Sequence, residues 1–213
     1  MTPVALAAFG NMTALSTSGQ SRPFDVRRDG FVIAEGGAVL VLEELERARA
    51  RGARIYAELL GGASTADAHH ITAPAPGGAG AIGCMELALE DAGLTAADVA
   101  HVNAHGTSTP LNDLAEAEAI EKVFVRPGPP VTSIKGVTGH SLGAAGALEA
   151  IASVLSIEGG LIPPTAGLEE QDPEIHLDIV TGAARAFTPG PVLSNSFGFG
   201  GHNGCLVFGP VSP

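Results

Sequence analysis

The sequence predicts an α/β fold, one sheet with helices on its faces. Three observations predict it. Short apolar runs rich in Val, Ile and Leu alternate with stretches of helical pattern along most of the chain. Glycine-rich turns stand beside these runs at 106, 136–139 and 198–201. Polar clusters follow strand patterns and precede helical ones, the place where open α/β sheets hold their ligands.

Taken in order, Val4 to Met12 has the composition of a short helix, and 21–30, S-R-P-F-D-V-R-R-D-G, is a charged loop. Phe31 to Leu42 is a long apolar run interrupted by Glu35-Gly36-Gly37; its β-branched content predicts a buried strand kinked at the glycines. Glu43 to Arg51 is a short charged helix stopped by Gly52, and Arg54 to Gly61 a second strand. Residues 62–78 form a long loop, of the kind that is functional or mobile in compact domains. Ala79 to Ala92 is a helix closed by Gly93, Thr95 to Asp98 a capped turn, and Val99 to Val102 a buried strand. Pro110 precedes a helix from Leu111 to Val123. Val131 to Ile134 reads as a short strand. His140 to Ile157 reads as a central helix whose Ala and Gly residues permit close packing, broken by Ile162-Pro-Pro-Thr165. Leu177 to Val180, Val192 to Asn195 and Cys205 to Phe208 complete the strands.

Composition bounds the function. The 213 residues suit one large domain, and 45% apolar residues can build a core, although only 4% are aromatic. A net charge of −12 argues against a nucleic-acid partner, while an acidic carrier protein could still dock on a local basic patch. No long uninterrupted apolar segment predicts a membrane span, and the N-terminus shows no signal-peptide pattern. The cysteines Cys84 and Cys205 have neither metal nor disulfide spacing, which points to a reducing cytoplasm.

The organising stretch is V-N-A-H-G-T-S-T at 102–109. A strand ends at Asn103, His105 follows on the turn, Gly106 frees the backbone, and three hydroxyls crowd the next residues. S-I-K-G-V-T-G-H at 133–140 and S-N-S-F-G-F-G-G-H-N at 194–203 read alike, and the three together predict one composite site.

At these motifs the chain resembles the C-terminal half of a β-ketoacyl-acyl carrier protein synthase, a type II condensing enzyme. N-A-H-G-T-S-T, K-G-x-x-G-H and N-S-F-G-F-G-G-x-N occur in that family's order, and S-R-P-F-D-x-x-R-D-G-F-V, E-G-G-A at 35–38 and V-L-E-E at 41–44 are also typical. The resemblance spans nearly the whole chain. It implies a thiolase-like fold: a C-terminal half, 29–213, with a mixed sheet covered by helices, preceded at 1–28 by the tail of an N-terminal half. It implies a dimer, a decarboxylating Claisen condensation in fatty-acid or polyketide synthesis, and acyl carrier protein as partner. No cofactor is required, the phosphopantetheine being borne by the carrier.

Residue by residue, the resemblance makes His105 and His140 the catalytic histidines, hydrogen-bond donors to the malonyl thioester oxygen as charge develops there. Lys135 would tune that site and Glu116 would pair with Lys135. Phe199, between two glycines, would gate the acyl pocket and lend its backbone N–H to an oxyanion hole. Thr107, Thr109 and, more weakly, Thr72 would bind the phosphopantetheine arm; local turn bonding is the bland alternative. Asn103, Glu149, Ser194 and Asn195 match positions that hold a structural monovalent or divalent cation in some members, or else a buried hydrogen-bond network. His69, His70, His101, His176 and His202 are read as structural or surface residues.

The family's nucleophilic cysteine lies in a Cys-Ser-Ser motif, which these 213 residues do not contain. Cys84 and Cys205 read as small core residues instead. The set of catalytic groups therefore needs an N-terminal half or a second chain to supply the cysteine, and the chain alone is expected to be inactive. A competing reading is a non-catalytic partner of the chain-length-factor kind; such subunits usually lose the histidines that are present here. A thiolase would carry a cysteine in the last glycine-rich turn, and 198–201 has none.

Overall fold

The computed structural model describes residues 1–125 and 127–212. Its centre is a mixed five-stranded sheet. Strand β1 (Glu58–Ala66) forms one edge and pairs antiparallel with β7 (His202–Gly209), which pairs antiparallel with β6 (Val192–Gly198). Strands β2 (His101–Asn103) and β3 (Val131–Thr132) then run parallel to β6. A separate two-stranded ribbon joins β4 (Leu161–Ile162) to β5 (Arg185–Ala186).

Side-chain alternation along each strand divides the core between two faces. Val102, Leu193, Cys205 and Val207 pack under helices α3 (Ala79–Asp91) and α4 (Pro110–Val123) with Cys84, Met85, Ala88 and Ile120. On the other face Val192 and Phe208 meet Ala150 and Ile157 of α6 (Ala145–Gly159). With few aromatics, closeness comes from small residues: a Cβ on Gly61 would stand 2.5 Å from the backbone nitrogen of Ala92, just past α3. The helix ends obey local chemistry. Pro110 occupies the first turn of α4, where no donor is wasted, and α6 stops at Gly160 in the left-handed region. Thr95 and Asp98 form a capping box. Two shorter helices, α1 (Pro3–Asn11) and α2 (Leu45–Ala50), are capped by Thr2 and Glu44.

Several expectations need correction. The strand expected over 31–42 is absent: only isolated bridges from Phe31 to Leu15 and from Ile33 to His140 form, and Val39 and Val41 stand 86% and 88% exposed. The residues have strand propensity but no neighbouring strand to satisfy it. The second strand starts at Glu58 rather than Arg54 and runs on into the expected loop. The central helix begins at Ala145, not His140. Gly139 at φ +64 and Leu142 at φ +54 break the helical path, leaving a single turn, α5 (Lys135–Thr138), before it. Leu177 to Val180 makes only a bridge through Ile179. By length and composition the stretch 142–159 could cross a membrane, but it packs on β6 and β7 and buries Glu149, Ser153 and Ser156.

Candidate functional site

The carboxyl ends of β2, β3 and β6 meet at one place, as the strand-end rule anticipates. His105 leaves β2 on a turn that only a glycine fits. Gly106 lies at φ +38, and a Cβ there would approach Ser133 Cβ at 2.6 Å. Ser133 closes the turn by donating from Oγ to the Gly106 carbonyl at 2.8 Å. Beneath it, Glu116 of α4 accepts the backbone N–H of His105 and of Gly106, one on each carboxylate oxygen, both at 2.8 Å. The carboxylate therefore fixes where the imidazole of His105 emerges.

Lys135 is the buried cation of the site, 1% exposed. It donates to the His105 carbonyl at 2.5 Å, faces His105 Nδ1 at 3.2 Å, and forms an ion pair with Glu149 of α6. The pair expected between Lys135 and Glu116 is replaced by this one: Glu116 is spent on backbone donors and on Asn195 Nδ2 at 3.1 Å. Burial pushes the Glu149 carboxyl up to about 7, against the pull of the Lys135 ammonium. Burial likewise raises Glu116, against its N–H donors.

The two histidine rings stand edge to face, their centroids 5.4 Å apart and their planes at 82°. Phe31 packs on His140 at 5.1 Å and Phe197 on His105 at 5.9 Å. Burial first, then the Lys135 ammonium, holds both imidazoles below the usual histidine range, His140 at about 4 and His105 well down. Both are thus neutral at pH 7. The hydrogen-bond network assigns the tautomers. Lys135 faces Nδ1 of His105, and the Leu142 N–H donates to Nδ1 of His140 at 3.3 Å. Each ring therefore keeps its proton on Nε2, free to donate to a ligand.

Both rings line a cavity of about 1170 Å³. Phe199 lines it too, 44% exposed and 6.3 Å from Phe9, in a turn where Gly200 and Gly201 have positive φ. Thr107, Thr109 and Thr72 lie on its wall. Thr107 and Thr109 bond to each other at 2.9 Å, and the Thr72 N–H donates to His70 Nδ1 at 3.1 Å. His202, set aside on sequence, lines the same cavity, whereas His101 is buried at the start of β2, away from it.

The four residues matched to a cation site are mostly spent on protein partners. Asn103 Nδ2 donates to Ser194 Oγ at 3.2 Å, and Asn195 divides its amide between Glu116 and Cys205. Glu149 Oε2 is buried without a hydrogen-bond partner. A hard cation takes amide, hydroxyl and backbone carbonyl oxygens as well as carboxylates, and Glu149 Oε2 is the oxygen of this set that stands open to one. Among the described residues no group of three His, Cys, Asp or Glu side chains is placed to hold a metal. Sequence reasoning also missed Glu149 as the lysine's partner. The signal was there: it is the only Asp, Glu, Lys or Arg between Lys135 and Glu158.

Comparison with known proteins gives a consistent picture. The family model for the beta-ketoacyl synthase C-terminal domain matches residues 56–169, and that for the N-terminal domain matches 1–48. A 3-oxoacyl-[acyl-carrier-protein] synthase 2 from Synechocystis is 50% identical over 98% of this chain and 52% of its own length. The ishigamide ketosynthase/chain length factor superposes with a TM-score of 0.95 at 42% identity, over 100% of this chain and 52% of that one. A type II polyketide ketosynthase, solved with its acyl-carrier protein and bound to a hexaketide, gives 0.96 at 37% identity, over 99% of this chain and 54% of that one. The chain spans about half the length of the curated relatives it matches.

Proposed function

Since the chain belongs to the beta-ketoacyl synthase family, we propose that it supplies the histidine and lysine part of a 3-oxoacyl-carrier-protein synthase. An acyl group waits as a thioester on a cysteine from an N-terminal half or a second chain. Malonyl-carrier protein enters, its phosphopantetheine arm held by Thr107, Thr109 and Thr72. As the carboxylate leaves as carbon dioxide, its electron pair moves onto the thioester oxygen. The Nε2–H groups of His105 and His140 donate to that oxygen and stabilise the enolate; one such donor is worth roughly 10²–10³ in rate. The enolate carbon then attacks the acyl carbonyl, a carbon–carbon bond forms, and the cysteine thiolate departs. Lys135, held by Glu149, adds to burial in keeping both imidazoles neutral and fixes the tautomer of His105. Phe199 gates the acyl pocket.

The observation that carries this reading is the pair of neutral imidazoles, edge to face at 5.4 Å on one cavity wall beside a buried lysine. The reading includes a cytoplasmic, dimeric enzyme whose carrier is acyl carrier protein, with no resident cofactor. The chain-length-factor alternative is disfavoured because His105, Lys135 and His140 are all retained and assembled. The test is a malonyl decarboxylation and condensation assay on the chain, alone and with a cysteine-bearing N-terminal half added. Condensation is expected only with the added half. Robust condensation by the chain alone, or none under either condition, overturns the proposal.

A further inference from the structure

Cys205 on β7 and Asn195 on β6 face each other across an antiparallel pair, on the α3 and α4 side of the sheet. Both are buried, at 1% and 0% exposure. The Asn195 amide has every bond accounted for. Its Nδ2 donates to Glu116 Oε1 at 3.1 Å and points a second hydrogen at Met85 Sδ at 3.6 Å. Its Oδ1 accepts the Cys205 thiol at 3.2 Å. Glu116 passes the constraint on, because the same Oε1 accepts the His105 N–H and Oε2 the Gly106 N–H. A continuous chain of buried bonds thus runs from the Cys205 thiol to the turn carrying His105.

From this chain we infer that Cys205 and Asn195 are positioning residues for His105, the thiol fixing the amide orientation that fixes the carboxylate. A buried amide oxygen without a donor is costly, so losing the thiol hydrogen would make the amide rotate or tilt. Turning over is barred, since it would set Oδ1 against the acceptor-only Glu116 carboxylate, so the amide tilts and its Nδ2 bond to Glu116 lengthens. The carboxylate would then be held less closely by its amide donor, and the grip on the two backbone N–H groups would loosen. Contact with Cys84, together with burial, holds the Cys205 thiol well above the usual range, so it keeps its proton at neutral pH. Cys84 Sγ lies within reach of the same thiol, but the amide oxygen of Asn195, 3.2 Å away, is the stronger acceptor, sulfur accepting only weakly; the Cys84 thiol itself donates to the Ala63 carbonyl at 3.4 Å.

This inference rests on the role proposed for His105, but its first readout does not. Amide hydrogen exchange is measured at His105 and Gly106 in nitrogen-15-labelled protein carrying Cys205→Val, which keeps apolar bulk and loses the donor, or Cys205→Ser, which keeps a donor. Valine is expected to speed exchange at those two amides about fivefold, the scale of one buried hydrogen bond, with Val102 unchanged; serine restores the native rates. If valine does not fold, Asn195→Asp removes the Nδ2 donor and must give the same localised change. The second readout is condensation with the N-terminal half added: valine lowers kcat with KM for malonyl-carrier unchanged, and serine rescues it. Equal exchange in the two cysteine variants, an unaltered rate in Asn195→Asp, or an unchanged kcat beside faster exchange overturns the inference. No activity in the unaltered protein overturns the proposed function instead.

Discussion

Strand β2 carries a buried histidine at its start and leads to another just past its end, and the two live differently. His101 has neither ring nitrogen bonded, with Phe187 6.1 Å away, and burial alone pushes it down to about 3. His105 is also held far down, but there Lys135 and His140 add to burial, and its Nδ1 is met by the lysine. A depressed basicity alone does not mark chemistry. What separates the two rings is the company of charges and donors, which gives one a defined tautomer and a cavity to face.

The largest expected effect comes from removing that company. Lys135→Met leaves Glu149 buried without its cation, and a broken buried pair typically costs about 3–5 kcal/mol. Denaturant unfolding should show that loss, and condensation should fall with it as His105 loses its proton assignment. Next, His105→Ala or His140→Ala should lower the condensation rate by about 10²–10³, measured with the N-terminal half supplied, whereas His101→Leu should leave the rate unchanged. A slower reaction in His101→Leu would break the contrast between the two strand ends.

Acid should sharpen it. His101 titrates near 3 when folded and near 6.5 when unfolded, so the unfolded chain binds more protons within that window. Stability from this group is complete above about pH 6.5 and drains away as pH falls towards 3. The difference between the wild type and His101→Leu isolates the effect, since the other titrating groups cancel. At pH 4 the leucine protein should lose less stability by about 3 kcal/mol, read from unfolding curves at pH 7 and pH 4. The smallest effect is expected at the cavity wall. Thr107→Val should raise KM for malonyl-carrier about fivefold, one hydrogen bond's worth, with kcat nearly unchanged.

Much of this was legible in the sequence wherever a signal is local. The helix of 79–91 with Gly93 beyond it, the proline-led helix of 110–123 and the strand-end position of His105 each follow from a few neighbouring residues. What failed depends on distant partners. The apolar run at 38–42 states a preference for strand, but the fold puts no strand beside it. Lys135 had several acids to choose from. The resemblance pointed to Glu116, yet its position under the His105 turn commits it to backbone donors, and only the fold brings Glu149 round on α6. The start of α6 was misread because Leu142 adopts positive φ, a conformation its side chain does not advertise.

Strand β6 is held by parallel bonds to β2 on one side and antiparallel bonds to β7 on the other. Side chains along it alternate between the two faces, so sliding it by a single residue would invert them all. Leu193 would leave the core, and Asn195 would turn its back on Glu116 while a serine took its place. A threading error in this one ribbon therefore produces no half-competent pocket. Correct assembly of the apolar layer under the sheet and of the proton-bearing corner is a single event, and either reports on the other.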